Sequence, residues 1–281
     1  MNKLPVAKRA AILQMLCEGN SMRSTSRMAD CSINTVTKLL IDAGKLCRAF
    51  HDEMVQKVNA KRVQCDEIWS FCYAEQKNVT PAIQDKHADA SDVWTWTCLD
   101  ADSKLVIAYL VGARDGFCAE LVMRDLESRI VSDSTQITTD QLNVYLRAVD
   151  VAFKGTVDYA MLHKVYAGVS DGRYSPAVCV GTKDVIVSGN PDPKHISTSY
   201  VERANLTMRI MHMRRFTRLS NGFSRKFENH AHMVAIYTVW YNWVRIHKTP
   251  RVTPAMEAKI SEHVWSFEEI INLMDQVNES N

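Results

Sequence analysis

Val63-Gln64-Cys65-Asp66-Glu67-Ile68-Trp69-Ser70-Phe71 alternates in two registers, with Val63, Cys65, Glu67, Trp69 and Phe71 on one and Gln64, Asp66, Ile68 and Ser70 on the other. A period of two is what a β-strand imposes on its side chains, so the stretch reads as a strand with Asp66 set inside it. Downstream, Val93–Leu99 and Leu105–Gly112 flank the turn-like Asp100-Ala101-Asp102-Ser103 and read as a hairpin. The spacing of Leu121, Val122, Leu126 and Ile130 predicts a helix over Phe117–Val131. Thr135–Thr139 is a short strand ending at Asp140, and a helix follows over about Leu142–Phe153. The order β-β-β-α-β-α describes a meander that becomes a parallel α/β sheet. Residues 156–190 return to β-like alternation. Beyond them, Tyr200 to about Met213 reads as helix, 214–224 as a basic loop, 227–247 as an aromatic-rich helix and 266–277 as a final short helix.

Upstream of the strand the chain is helical. Val6, Ala10, Ile12, Leu13 and Leu16 share one face, and Gly19-Asn20 is a stop. A short helix spans about Met22–Ala29. Ser32 is a suitable N-cap for a third, with Val36, Leu39 and Leu40 inward and Gly44 at its end. Ser24 to Val36 resembles a helix-turn-helix, although Asp30 stands where that motif usually places Gly. In that reading Asn34, Thr35, Thr37 and Lys38 face DNA. A plain three-helix bundle is the alternative.

The chain has 281 residues, 46% of them hydrophobic and 23% charged, which is enough to bury a sizeable core and excludes a disordered or small disulfide-scaffold protein. No apolar run is long enough to span a membrane, and Gln14 and Glu18 interrupt the N-terminal apolar stretch, so a soluble cytoplasmic protein is expected. Eight cysteines occur with no Cys-x-x-Cys pair, which argues for reduced thiols over a zinc ribbon. The net charge of +2 hides a strong pattern: +6 over residues 1–62, −8 over 63–202, +9 over 203–251 and −5 over 252–281. Basic flanks around an acidic centre suit a polyanion partner and a cation-holding middle.

Three acids stand out by position. Asp66 lies within a strand, Asp140 at a strand's C-terminal edge, where open α/β sheets bind ligands, and Glu202 in the first turn of a later helix. Hard divalent ions such as Mg²⁺ take oxygen ligands and keep several waters, so two or three carboxylates suffice. Two such ions support phosphoryl transfer by activating the attacking oxygen and stabilising the leaving one. The plainer readings are a strand-edge acid, a helix N-cap and a first-turn acid favoured by the helix dipole.

Cys65-Asp66-Glu67-Ile68-Trp69-Ser70-Phe71, Trp94-Thr95-Trp96-Thr97-Cys98-Leu99-Asp100 leading to Gly112-Ala113-Arg114, Thr138-Thr139-Asp140, Ser199 to Arg209 and Asn221-Gly222-Phe223-Ser224 occur in that order. Together they resemble the Asp-Asp-Glu transposases of small bacterial insertion sequences, closest to the insertion-sequence-one group. The resemblance covers roughly residues 60–257. It implies an α/β chain with an N-terminal helix-turn-helix domain (1–60), a ribonuclease-H-like, retroviral-integrase-like catalytic domain (61–257) carrying an inserted β-rich segment (about 156–190), and a C-terminal helical tail (258–281). It makes Asp66, Asp140 and Glu202 the catalytic, metal-binding triad, served by two Mg²⁺ ions, with Mn²⁺ as the substitute. The implied activity is binding of terminal inverted repeats, strand cleavage and strand transfer. The partners are then element ends and target DNA, held by a homodimer or higher assembly.

Arg203, Arg209, Arg214, Arg215, Arg218, Arg225 and Lys226 follow Glu202 closely and would hold the DNA backbone. The tryptophans read mainly as core, and His195 as an ordinary loop histidine. Two other functions fit the same motifs: a non-transposing nuclease of that fold, and a helix-turn-helix regulator carrying an inactive catalytic domain.

Overall fold

The computed structural model describes residues 3–131, 134–166, 179–209, 213, 216 and 222–279. At its centre is β1 (Arg62–Cys72), which pairs antiparallel with β2 (Ser91–Asp100) and parallel with β4 (Gln136–Thr139). The outer strands are β3 (Val106–Gly112), β5 (Asp158–Tyr166) and β6 (Cys179–Ser188), giving a six-stranded mixed sheet in the order β3-β2-β1-β4-β5-β6. The chain is thus mixed α/β.

Helices cover both faces. α5 (Gly116–Arg129) and α6 (Val144–Phe153) pack together on the face to which Glu67 points, where Tyr145 donates its hydroxyl to Glu67. α7 (Ser199–Thr207) lies on the Asp66 face, beside α8 (Phe227–Val239). This two-sided cover explains why β1 buries residues of both registers, Val63 and Cys65 on one and Gln64, Ile68 and Ser70 on the other. A strand buried on both faces must satisfy its polar side chains internally. Ser70 does so by donating to the Val93 carbonyl at 3.0 Å.

The N-terminal helices α1 (Val6–Cys17), α2 (Met22–Met28) and α3 (Ile33–Met54) join the same hydrophobic core as the sheet. The α2–α3 turn places Asp30 in the left-handed region, φ 42°, the conformation that a Gly at this position takes without cost. The spacing predicts that α3 stops at Gly44, yet it runs ten residues further. Gly44 is there for contact, since a Cβ would stand 2.4 Å from the His232 Cβ of α8. The extension buries Cys47, Phe50 and His51. His51 reaches the sheet edge, its Nε2 3.1 Å from the Ile107 carbonyl oxygen.

The C-terminal part also docks on this core. After α8 comes a π-helical turn, Trp240–Val244, then α9 (Pro254–Glu257) and α10 (Phe267–Glu279). Asn242 bonds both the N–H and the carbonyl of Val106, at 3.0 and 2.9 Å, and so covers the outer edge of β3. α10 buries Phe267, Ile270, Ile271 and Met274, and its Asp275 receives both guanidinium arms of Arg9 at 2.6 Å. The expected C-terminal tail is a packed helix.

The polar stretch between β1 and β2 contains a short helix, α4 (Pro81–Lys86), which Thr80 caps. Within the β-rich stretch 156–190, of which 167–178 lie outside the described residues, β5 is bonded to β4 on one edge and to β6 on the other, so the stretch continues the sheet.

Candidate active site

Register places the first two acids. β1 and β4 run parallel, and the last pair of their ladder is Cys65 opposite Thr139, so Asp66 and Asp140 each directly follow it. β4 ends at Thr139, which leaves a gap beside β1 where acids from both faces of the strand converge. One carboxylate oxygen each from Asp66, Glu67 and Asp140 lie within 4.8 Å of one another. Asp140 also accepts the Leu142 N–H at 3.0 Å, which fixes the turn out of β4.

The third acid is positioned by β1 itself. Gln64 is 3% exposed, and its side-chain oxygen accepts the backbone N–H groups of Tyr200 and Val201, at 2.8 and 3.1 Å. These are among the donors a helix start leaves without internal partners, so Gln64 pins the first turn of α7 to the sheet. Two residues along the same strand face, Asp66 accepts from the Asn205 side chain at 2.9 Å. Glu202 and Asn205 are three apart and share a helix face, which brings Glu202 to the Asp66 side. Glu202 accepts from Lys164 of β5 at 2.5 Å and from the Thr198 hydroxyl.

Glu67 has a different environment. Its side chain is 1% exposed, and Oε1 accepts from Arg114 Nε and Nη2 at 2.8 and 2.6 Å. Burial raises the Asp66 carboxyl to about 6; the Asn205 bond opposes the rise, and the Asp140 and Glu202 charges add to it. Burial and the Asp140 charge raise Glu67 to about 7 against the pull of Arg114. Asp140 is raised as well, chiefly by burial, with Arg114 and Lys164 opposing. Acids crowded and desolvated in this way are short of positive charge. The donor set is all oxygen, which fits a hard divalent cation.

Of the acids singled out in the sequence, Asp66 and Asp140 come together directly and Glu202 stands close enough to act on both electrostatically. The side chains that sequence reasoning did not single out are Gln64, Glu67, Arg114, Lys164 and Asn205. Gln64 carried a usable signal, since a Gln in a strand buried on both faces needs a partner.

The basic residues fall in three places. Arg203 and Arg209 are exposed on and just after α7. Arg225 and Lys226 are exposed beyond Ser224, which bridges to Cys72 at the far end of β1, about 20 Å along the strand from Asp66 at ~3.3 Å per residue. Arg214, Arg215 and Arg218 lie outside the described residues. Asn34 and Lys38 are exposed on the first turns of α3, with Thr35 and Thr37 half-buried. Trp96, Trp240 and Trp243 are core, whereas Trp94 is half-buried and carries the Arg114 guanidinium 4.7 Å above its ring. His195 Nδ1 is 2.6 Å from Arg62 Nη1.

No helix among the described residues is long and apolar enough to cross a membrane. No protein-family model matches the chain, and no curated protein matches it. Among solved structures, the chain is similar to a piggyBac transposase in a synaptic complex with hairpin DNA, at 8% identity and a TM-score of 0.42, over 96% of this chain and 69% of that one. It is also similar to the Mos1 strand transfer complex, at 14% identity and a TM-score of 0.24, over 57% of this chain and 59% of that one. A Mos1 transposase paired-end complex with the left transposon end matches at 10% identity and a TM-score of 0.25, over 94% and 82%. All of these scores lie below 0.5, so the functional reading rests on the side chains described above.

Proposed function

We propose that the chain is a DNA transposase of the Asp-Asp-Glu type, from a bacterial insertion sequence of the insertion-sequence-one group. Its catalytic part, 61–257, is read as ribonuclease-H-like, and α2 and α3 within 1–60 as a helix-turn-helix that recognises element ends through Asn34, Thr35, Thr37 and Lys38. One observation carries the reading: Asp66 and Asp140 follow the last β1–β4 pair into a strand-end gap where their carboxylates meet, with Glu202 on the helix laid over the Asp66 face. The three would hold Mg²⁺, or Mn²⁺ in its place. When bound, the metal supplies Lewis-acid stabilisation of charge on the attacking and leaving oxygens of a phosphodiester.

The chain's own side chains hold the acids in place for that task. Gln64 orients the helix that bears Glu202, Asn205 holds one oxygen of Asp66, and the Leu142 N–H holds Asp140. Lys164 neutralises Glu202 until another cation takes its place. Exposed Arg203, Arg209, Arg225 and Lys226 are proposed to contact phosphates, and with them Arg214, Arg215 and Arg218. Two element ends must be joined in one reaction, so a homodimer or larger assembly on DNA follows from the chemistry.

The test is incubation of the protein and Mg²⁺ with a duplex spanning the DNA that flanks its gene. Cleavage at a terminal repeat followed by joining of the 3′-hydroxyl to a second duplex is expected. Cleavage without joining points to a nuclease, and binding without cleavage to a regulator.

A further inference from the structure

Arg114 is held on two sides. Nε and Nη2 are both committed to Glu67 Oε1, the guanidinium lies over Trp94, and Trp94 and Trp69 are cross-strand partners of β2 and β1. Glu67 is fixed in turn by the Tyr145 hydroxyl at 3.2 Å, and Tyr145 stands edge-on to Trp96, ring centroids 5.4 Å apart. The Trp96 indole N–H donates to the Ala113 carbonyl at 2.9 Å, which fixes the backbone immediately before Arg114. This is more support than a surface arginine needs. A surface ion pair gains little from such ordering, because holding a long side chain in one geometry costs rotamer entropy.

Despite that support, the Arg114 side chain is 39% exposed, and Nη1 has no acceptor among the described residues. The guanidinium stands near enough to Asp140 to favour its charged form. One edge of the fork is therefore anchored on Glu67, and Nη1 keeps its donors on a partly exposed side chain close to Asp140. An immobilised guanidinium with a free edge is suited to a planar or tetrahedral oxyanion, and phosphodiester oxygens are the oxyanion that the proposed chemistry brings there.

We propose that Arg114 grips a non-bridging phosphate oxygen of the DNA backbone beside Asp66 and Asp140, and that Glu67 and Trp94 are its positioning residues. This rests on the DNA-cleaving reading of the site. It assigns Glu67 to holding Arg114, although an oxygen of Glu67 lies among those of the proposed metal ligands. It also places a phosphate contact at the catalytic gap on a residue between β3 and α5, outside the basic segment of sequence that follows Glu202.

The test uses the full-length protein and a 30-base-pair duplex in Ca²⁺, with fluorescence anisotropy followed across a range of salt. Removing one cation from a duplex phosphate should flatten the log–log salt slope by about 0.9, so Arg114→Gln should show a slope shallower by about that amount, with affinity reduced several-fold. Arg114→Lys keeps the charge but loses the fork; it should retain most of the slope and lose about 10-fold or more in cleavage rate in Mg²⁺. Glu67→Gln should weaken DNA binding less than Arg114→Gln, and the double variant should bind no worse than Arg114→Gln alone, as expected if Glu67 acts through Arg114. Thermal unfolding of each variant shows which of them remain folded, and any one that does suffices. An unchanged salt slope in folded Arg114→Gln, with wild-type cleavage in Arg114→Lys, would overturn the proposal and leave Arg114 as a counter-ion to Glu67. Failure of the wild-type protein to bind the duplex would instead remove the DNA-cleaving reading beneath it. Asp66→Asn serves as the control that separates the two, since it should bind with the wild-type slope and not cleave.

Discussion

Asp275 and Asp66 are the same side chain in opposite circumstances. Asp275, at the α1–α10 contact, takes two bonds from Arg9 and an ion pair from Lys3, and these partners pull it down to about 2. Asp66 is buried beside Glu67, Asp140 and Glu202, with the Asn205 amide and the Glu67 backbone N–H as neutral donors and no cation bonded to it, and burial raises it to about 6. The helical dock supplies its own cations and is electrostatically complete. The strand-end gap gathers acids faster than it supplies bases. Folding alone does not call for the second arrangement, which points to a cation from outside.

The largest expected difference is in activity. Asp66→Asn, Asp140→Asn and Glu202→Gln should each lower DNA cleavage about 100-fold or more while leaving end binding nearly intact, measured by gel assay and by anisotropy. Arg9→Ala should do the reverse, costing about 1.5–3 kcal/mol of stability in a urea titration with cleavage per folded molecule unchanged. Near-normal cleavage in the acid variants would remove the contrast.

The two aspartates should also titrate in opposite senses. For Asp275 the folded state holds its proton less tightly than the unfolded chain. Its stabilisation is therefore present above about pH 4 and is lost as pH falls towards 2. For Asp66 the folded state binds the proton more tightly. Stability of the metal-free protein should therefore fall as pH rises from about 4 to 6, with Glu67 and Asp140 adding to the fall, and Asp66→Asn should lessen it. His51, lowered to about 3 mainly by burial, acts with Asp275: it destabilises the fold as pH drops below about 6.5. Unfolding midpoints of wild type, Asp66→Asn, Asp275→Asn and His51→Gln across pH 3–8 check all three signs.

Smaller effects sharpen the comparison. Lys164→Ala removes the cation paired with Glu202, and calorimetric titration should show Mn²⁺ binding tightened by about 2–10-fold. Weaker binding would mean that Lys164 supports the site instead of competing with the metal. Thr35→Ala with Lys38→Ala should weaken binding of the element end by about 10-fold relative to unrelated duplex, well away from either aspartate.

How much of this is legible in the sequence follows from how local each feature is. The alternation through β1 and the strand end at Thr139 are local, so Asp66 and Asp140 can be picked out before any fold is known. Their adjacency needs the β1–β4 register, which no local pattern carries. Glu67, by contrast, sits beside Asp66 in sequence and in the mostly apolar register of β1, and no local pattern shows its role, because Arg114 and Tyr145 reach it across 47 and 78 residues. The Gln64–α7 contact spans 136 residues and is just as invisible, although an amide in a doubly buried strand signals that a partner exists. Gly44 shows the opposite failure: read locally it ends a helix, and only the passage of His232 explains its place inside one.

Changing the ligand atom at Asp66 separates a carboxylate that holds a metal for DNA cleavage from one that only shapes the strand end. In Asp66→Cys a thiolate replaces the carboxylate, and thiolates disfavour Mg²⁺ relative to softer ions. Single-turnover cleavage by this variant should be lost in Mg²⁺ and partly restored in Mn²⁺ or Cd²⁺, while the wild type remains active in Mg²⁺. Cleavage by Asp66→Cys in Mg²⁺ at the wild-type rate would contradict the account.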